Sequence, residues 1–156
     1  MYHMLNHSLN KSLMFFGSGV VIEAFHTKIM DGVHGVLQRL PYVGPLWLIG
    51  AVAILGAPPG GLFLSELMIL RGGLASSNIW AVFVMLVLLV VIFAHFLFHF
   101  LKMYEPDPNP GMAVKRSIWL ELPMVFALIP LLAFGFWWPA EFWEFFLKTL
   151  HQLEGT

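Results

Sequence analysis

The sequence predicts an all-α integral membrane protein, with four transmembrane helices, the second of them discontinuous, and a short amphipathic helix at the C-terminus. Three observations predict it. The 156 residues are 59% hydrophobic and only 11% charged, against about 25% charged in ordinary globular chains. Four segments carry the run of roughly 20 mostly apolar residues that a bilayer core requires. Trp80, Trp119, Trp137, Trp138 and Trp143 lie near the ends of those segments, as an interfacial aromatic belt does.

The first span covers about 2–25 and carries Lys11 near its middle. The second covers about 45–70 and is broken by Pro58-Pro59-Gly60-Gly61. Proline removes a helical N–H and clashes with the preceding turn. Freed backbone groups at membrane depth are tolerated only against protein or water. The third span, about 79–103, has no Asp, Glu, Lys or Arg from Trp80 to Leu101. The fourth, about 118–138, is ended by Pro139. In the tail, Phe142, Phe145, Phe146, Leu150 and Leu153 recur at helical spacing between Glu141 and Leu153, which reads as a short helix lying on the membrane or on a partner. The Pro-rich run Glu105–Gly111 reads as a stiff polar turn, so 1–156 forms one membrane domain.

Basic residues set the expected orientation. Lys28, Arg39, Lys102, Lys115 and Arg116 flank the first and third connections, and only Arg71 and Lys148 lie on the other side. The positive-inside rule then makes those connections cytoplasmic and puts both termini outside. A net charge of −1 gives no basis for nucleic-acid binding. The absence of cysteine removes disulfides, thiolate zinc sites and Cys-ligated iron–sulfur clusters from this chain. The first residues lack a basic n-region and a small-residue cleavage site, so no secretory signal peptide is expected.

His3, His7 and Lys11 follow one another at i, i+4, i+8, a spacing that stacks them along a helix. Ionisable groups are costly in a membrane and face a bundle interior or a water-filled cavity. Imidazole exchanges protons near neutral pH, and desolvation lowers the proton affinity of a lysine. The stripe therefore reads as a proton relay, with Asn6 and Ser12 placed to hold bridging water. The bland alternative has both histidines at the interface and Lys11 snorkelling outward. Glu66 follows the helix break and reads as a titrating carboxylate beside unwound backbone, as in broken-helix transporters. Its alternative is a Pro-kinked helix capped by Glu66 and Arg71. His95, His99 and Lys102 form a second stripe, equally well read as a proton uptake or release point or as interfacial residues. Glu121, in the first turn of the fourth span, is explained by the helix dipole. Glu23, His26, Lys28, Asp31 and His34 read as solvated residues of the first connection, though Glu23 is also placed to end the first stripe. A metal held by His3 and His7 is disfavoured by Lys11 beside them, and no metal or catalytic centre is expected in this chain.

Two motifs resemble a known family. His3, His7, Ser8, Lys11, Ser12 and Phe15 resemble the H-x-x-x-H-(A/S)-x-x-K-(A/S)-x-x-F pattern of antiporter-like, proton-conducting subunits. Gly56, Pro58, Pro59, Phe63, Ser65 and Glu66 are similar to that family's G-x-P-P-x-x-x-F-x-S-E motif. Such subunits occur in respiratory complex I, in membrane-bound nickel–iron hydrogenases and in multisubunit cation/proton antiporters. The Ser-Glu form and the segment Phe134–Pro139 resemble most the hydrogenase-4 component F branch. The resemblance implies a 14-helix fold of two inverted five-helix repeats, of which this chain corresponds to helices 11–14, about the last third. It further implies that His3, His7 and Lys11 lie on a central hydrophilic axis and that Glu66 is the terminal titrating group.

The expected role is proton translocation in the cytoplasmic membrane of a prokaryote, driven by a redox reaction whose cofactors sit in partner subunits. The missing helices are expected from another chain, or the chain is a fragment that starts at an internal Met. The alternatives are part of a multisubunit sodium/proton antiporter and a purely structural membrane subunit.

Overall fold

The computed structural model describes residues 2–115 and 117–136, with 144, 145, 147 and 148 of the tail. Most of the helix predicted over 141–153 lies outside the described residues, as do Trp137, Trp138 and Trp143. The described residues form helices and connecting loops, without a strand. The order is α1 (Tyr2–Phe25), a 3-10 turn (Met30–Gly32), α2 (Val36–Arg39), α3 (Val43–Ile54), α4 (Gly61–Ala75), α5 (Ile79–Lys102) and α6 (Ile118–Phe136).

Among the described residues, α5 and α6 are long and apolar enough to cross a membrane. α3 is apolar but has only 12 residues. α1 matches α5 at 24 residues, but its His, Asn, Ser and Lys side chains dilute its apolar content. The segment predicted as an interrupted second span is two helices, α3 and α4, separated by residues 55–60. The first connection, expected as solvated loop, holds α2 and the 3-10 turn.

Interhelical packing centres on α1, which lies mainly against α6 and α3. α4 rests on α6 and α1, while α5 touches α4, α3 and the 3-10 turn. The core joins Leu13, Trp47, Phe100, Met124 and Leu131. Trp47 fits where Gly17 has no side chain; a Cβ there would come within 2.1 Å of its ring. Its Nε1 donates to the Met14 carbonyl at 3.2 Å, and its ring meets Phe100 at 4.5 Å. Small residues allow such close approach between membrane helices.

α5 is largely uncovered: only 6% of its most apolar stretch is buried. Trp80 begins α5 and Trp119 begins α6, and each is 79% exposed. These two run in opposite directions through the bundle, so the two rings mark its two ends, as interfacial tryptophans do.

The first and third connections are bonded together. Gly35 N donates to Glu105 O at 2.8 Å and Val36 N to Met103 O at 3.1 Å. Asp107 N donates to Gln38 Oε1 at 2.8 Å, and Val114 N to Arg39 O at 2.8 Å. Tyr104 OH donates to Gly44 O at 2.8 Å. These bonds hold Arg39, Lys102 and Lys115 at one end of the molecule.

Candidate functional site

Helix geometry decides which α1 side chains meet the bundle. The buried line on α1 runs through Asn6, Asn10, Leu13 and Gly17. An i→i+4 step advances about 40° round a 3.6-residue helix. His3, His7 and Lys11 therefore lie about 50°, 90° and 130° from the middle of that line. His3 and His7 are half-buried, and Lys11 is exposed. The rings of His3 and His7 stack with centroids 5.8 Å apart.

Asn6 and Asn10 are fully buried. Asn6 Nδ2 donates to Tyr2 O at 3.0 Å, and its amide packs on the bare Cα of Gly61. With its amide oriented to satisfy both partners, Asn10 Nδ2 donates to Gly50 O at 3.0 Å and Oδ1 accepts from Ile54 N at 2.8 Å. From α1 this side chain thus bridges Gly50 O and Ile54 N, an i/i+4 pair in the last turn of α3.

Beyond Ile54 the chain turns through Gly56, whose φ of +71° suits a residue without Cβ. It then passes the cis Pro58-Pro59 bond and enters α4 through extended Gly60. Gly60 and Gly61 are buried, while Pro58 and Pro59 are exposed. α6 closes on the break at Gly135, where an added Cβ would fall 1.9 Å from the Pro59 carbonyl oxygen. Tyr2 OH donates to Phe134 O at 2.8 Å beside it.

His3 reaches α4: its Nδ1 lies 2.9 Å from Ser65 Oγ, which in turn donates to Leu62 O at 2.7 Å. Glu66, the next residue, is half-buried with its carboxylate over Gly56; a Cβ at Gly56 would lie 2.1 Å from Oε2. It opens on a cavity of about 300 Å³ between α4 and α5, lined otherwise by apolar groups such as Phe63, Leu67, Leu86 and Phe93. Glu66 lines that cavity and Lys11 does not. The break thus brings together His3, Ser65 and, through sequence, Glu66, and leaves Lys11 on the open side of α1.

His95 and His99 lie near the other end of α5, their rings 4.5 Å apart. His95 is exposed and His99 half-buried, and Lys102 Nζ sits 5.0 Å over the Phe98 ring. Glu121, read as a dipole-favoured first-turn acid, is buried at 8% exposure. Glu23, His26, Lys28 and Asp31 are exposed.

The sequence of α1 holds a signal for Asn10: two asparagines at i, i+4 in an apolar helix ask for buried partners. Gly135 and Tyr2 carried no such signal, since their partners are backbone carbonyls.

The family described as NADH:quinone oxidoreductase/Mrp antiporter, TM, matches residues 1–93. That stretch holds α1, the break and Glu66 and makes up more than half of the chain. The chain belongs to this family.

Relatives in this family include hydrogenase-4 component B of Escherichia coli strain K12, 39% identical over 42% of this chain and 10% of its own. A hydrogenase-4 component F homolog of Methylacidiphilum infernorum is 29% identical over 92% of this chain and 30% of its own. NAD(P)H-quinone oxidoreductase chain 4-3 of Nostoc is 36% identical over 52% of this chain and 14% of its own. The chain therefore spans between 10% and 30% of the length of these relatives.

Proposed function

We propose that the chain is the C-terminal part of a proton-translocating membrane subunit, in a redox-driven complex of the complex I or group 4 hydrogenase type. One observation carries this reading: the family match covers the helix α1 that bears His3, His7 and Lys11 and the broken helix that bears Glu66. In this reading α1, α3 with α4, α5 and α6 are four spans, the second discontinuous at Pro58–Gly61. The membrane is the cytoplasmic membrane of a prokaryote, and both termini lie outside. The chain has no catalytic centre of its own, and redox cofactors reside in partner subunits.

The exposure of Lys11 on a helix bearing Ser8 and Ser12 supports a partner chain seated there, one that supplies the N-terminal helices of the subunit. Lys11 then exchanges a proton with the His3/His7 side and, through water, with Glu66. His95, His99 and Lys102 serve uptake or release. Two unit charges 6–7 Å apart at an effective dielectric constant of about 20 interact by roughly 2–3 kcal/mol. That equals about two pKa units, enough for a charge in a neighbouring subunit to switch the occupancy of Lys11.

The test is Lys11→Ala and Glu66→Gln in the assembled complex, with proton pumping and assembly measured side by side. Pumping is expected to fall in both variants while assembly persists. Normal pumping in both overturns the reading in favour of a structural role. The antiporter in the family description favours one second reading, sodium/proton exchange, which predicts sodium-dependent transport by the same complex.

A further inference from the structure

We infer that Ser65 is a positioning residue that makes His3 a one-sided proton site, with Nδ1 held as N–H and Nε2 left to take up and return a proton. The two distances around Ser65 Oγ decide this. Oγ lies 2.7 Å from Leu62 O and 2.9 Å from His3 Nδ1. A hydroxyl has one proton to donate. Leu62 O is only an acceptor, so two oxygens 2.7 Å apart require the hydroxyl proton between them. That bond is the local serine-to-backbone kind common in helices, and its length is ordinary for O–H···O, as 2.9 Å is for N–H···O. Ser65 is 2% exposed, so water does not compete for its proton. Oγ must accept from His3, and Nδ1 must carry a hydrogen. The bond made by one ring nitrogen fixes the state of the other, so neutral His3 presents its lone pair at Nε2.

The surroundings leave Ser65 in charge of this choice. His7 meets His3 by ring stacking at 5.8 Å, and the Tyr2 hydroxyl is committed to Phe134 O. Glu66, the neighbouring ionisable group of α4, carries its carboxylate over Gly56.

Passage of a proton through an imidazole needs exchange at both nitrogens. On the Nδ1 side stands a hydroxyl whose only proton is spent on an amide carbonyl, which does not pass it on. A proton that arrives at Nε2 gives the imidazolium, with Nδ1–H unchanged, and leaves again from Nε2. His3 is then the end of a line that begins on the α1 side, and any path on to Glu66 bypasses its ring. This deepens the proton-route reading and rests on it for the consequence to transport; the tautomer itself rests on Ser65 alone.

The experiment is nitrogen-15 NMR of histidine-labelled complex in membranes, with the His3 signals assigned by their loss in His3→Gln. Above its titration, wild-type His3 is expected to show a protonated Nδ1 and a bare Nε2. In Ser65→Ala the Nε2–H form rises several-fold, and in Ser65→Thr, which keeps the hydroxyl, Nδ1–H persists. A wild-type His3 protonated at Nε2, or a Ser65→Ala spectrum identical to wild type, overturns the proposal. Should Ser65→Ala fail to assemble, the wild-type and Ser65→Thr spectra decide it. Normal pumping in Lys11→Ala and Glu66→Gln would overturn the transport reading and leave the tautomer result standing.

Discussion

Gly135 is the place where one added methyl group probes how α6 holds the helix break. In Gly135→Ala the new Cβ would lie 1.9 Å from Pro59 O and 3.1 Å from both Gly60 C and Gly61 N. All three are backbone atoms, so no rotamer change relieves the clash. Ordinary contact begins at 3.4 Å, which requires α6 and the break to part by about 1.5 Å. The Tyr2 OH to Phe134 O bond, now 2.8 Å, does not survive that displacement. Overpacking costs about 1–3 kcal/mol, and the lost hydrogen bond about 1 kcal/mol. Replacing helical glycine by alanine returns up to about 1 kcal/mol. The net expectation is a destabilisation of about 1–3 kcal/mol. The assay is reversible unfolding in mixed detergent micelles, monitored by tryptophan fluorescence, with Gly72→Ala as control. Nothing lies within 4 Å of a Cβ at Gly72, so that variant keeps only the propensity gain. Equal stability of Gly135→Ala and Gly72→Ala would refute the close approach of α6 to the break.

Gly56→Ala combines a left-handed φ, costing about 1–2 kcal/mol, with a collision that swings the Glu66 carboxylate aside. Stability should fall by that amount and recover no further in Gly56→Ala/Glu66→Ala, as thermal melts of the single and double variants will show. Asn10→Ala leaves Gly50 O and Ile54 N without their side-chain partner, so unfolding should become easier by about 1–3 kcal/mol. Tyr104→Phe removes the bond to Gly44 O and should cost about 1 kcal/mol, with no change if that end of the bundle is held by other bonds alone.

Much of the fold was legible because the bilayer writes coarse signals. Apolar runs predicted α5 and α6, and Pro58-Pro59-Gly60 falls in the stretch that separates α3 from α4. The phase of α1 was not legible. Its i, i+4, i+8 stripe looks like one face in sequence, yet the drift of about 40° per step carries Lys11 from the edge of the bundle to its open side. Asn6 and Asn10, not the ionisable stripe, line the face that packs. α2 and the 3-10 turn were hidden because partners far along the chain fix them: Gln38 answers to Asp107. His3 was legible as an ionisable group, but its attachment to Ser65 depends on the position of α4 after the break, which no local spacing encodes.

The bonds between the two basic connections have a consequence for how the chain is made. α6 follows α5 in sequence but leans on α1 and α4, across the bundle. A nick among Pro108, Asn109 and Pro110 would sever the covalent link between α5 and α6 and leave the second piece held by Val114 on Arg39 and by the packing of α6 on α1 and α4. Two polypeptides divided at that turn would therefore keep the same seat for α6 between α1 and α4.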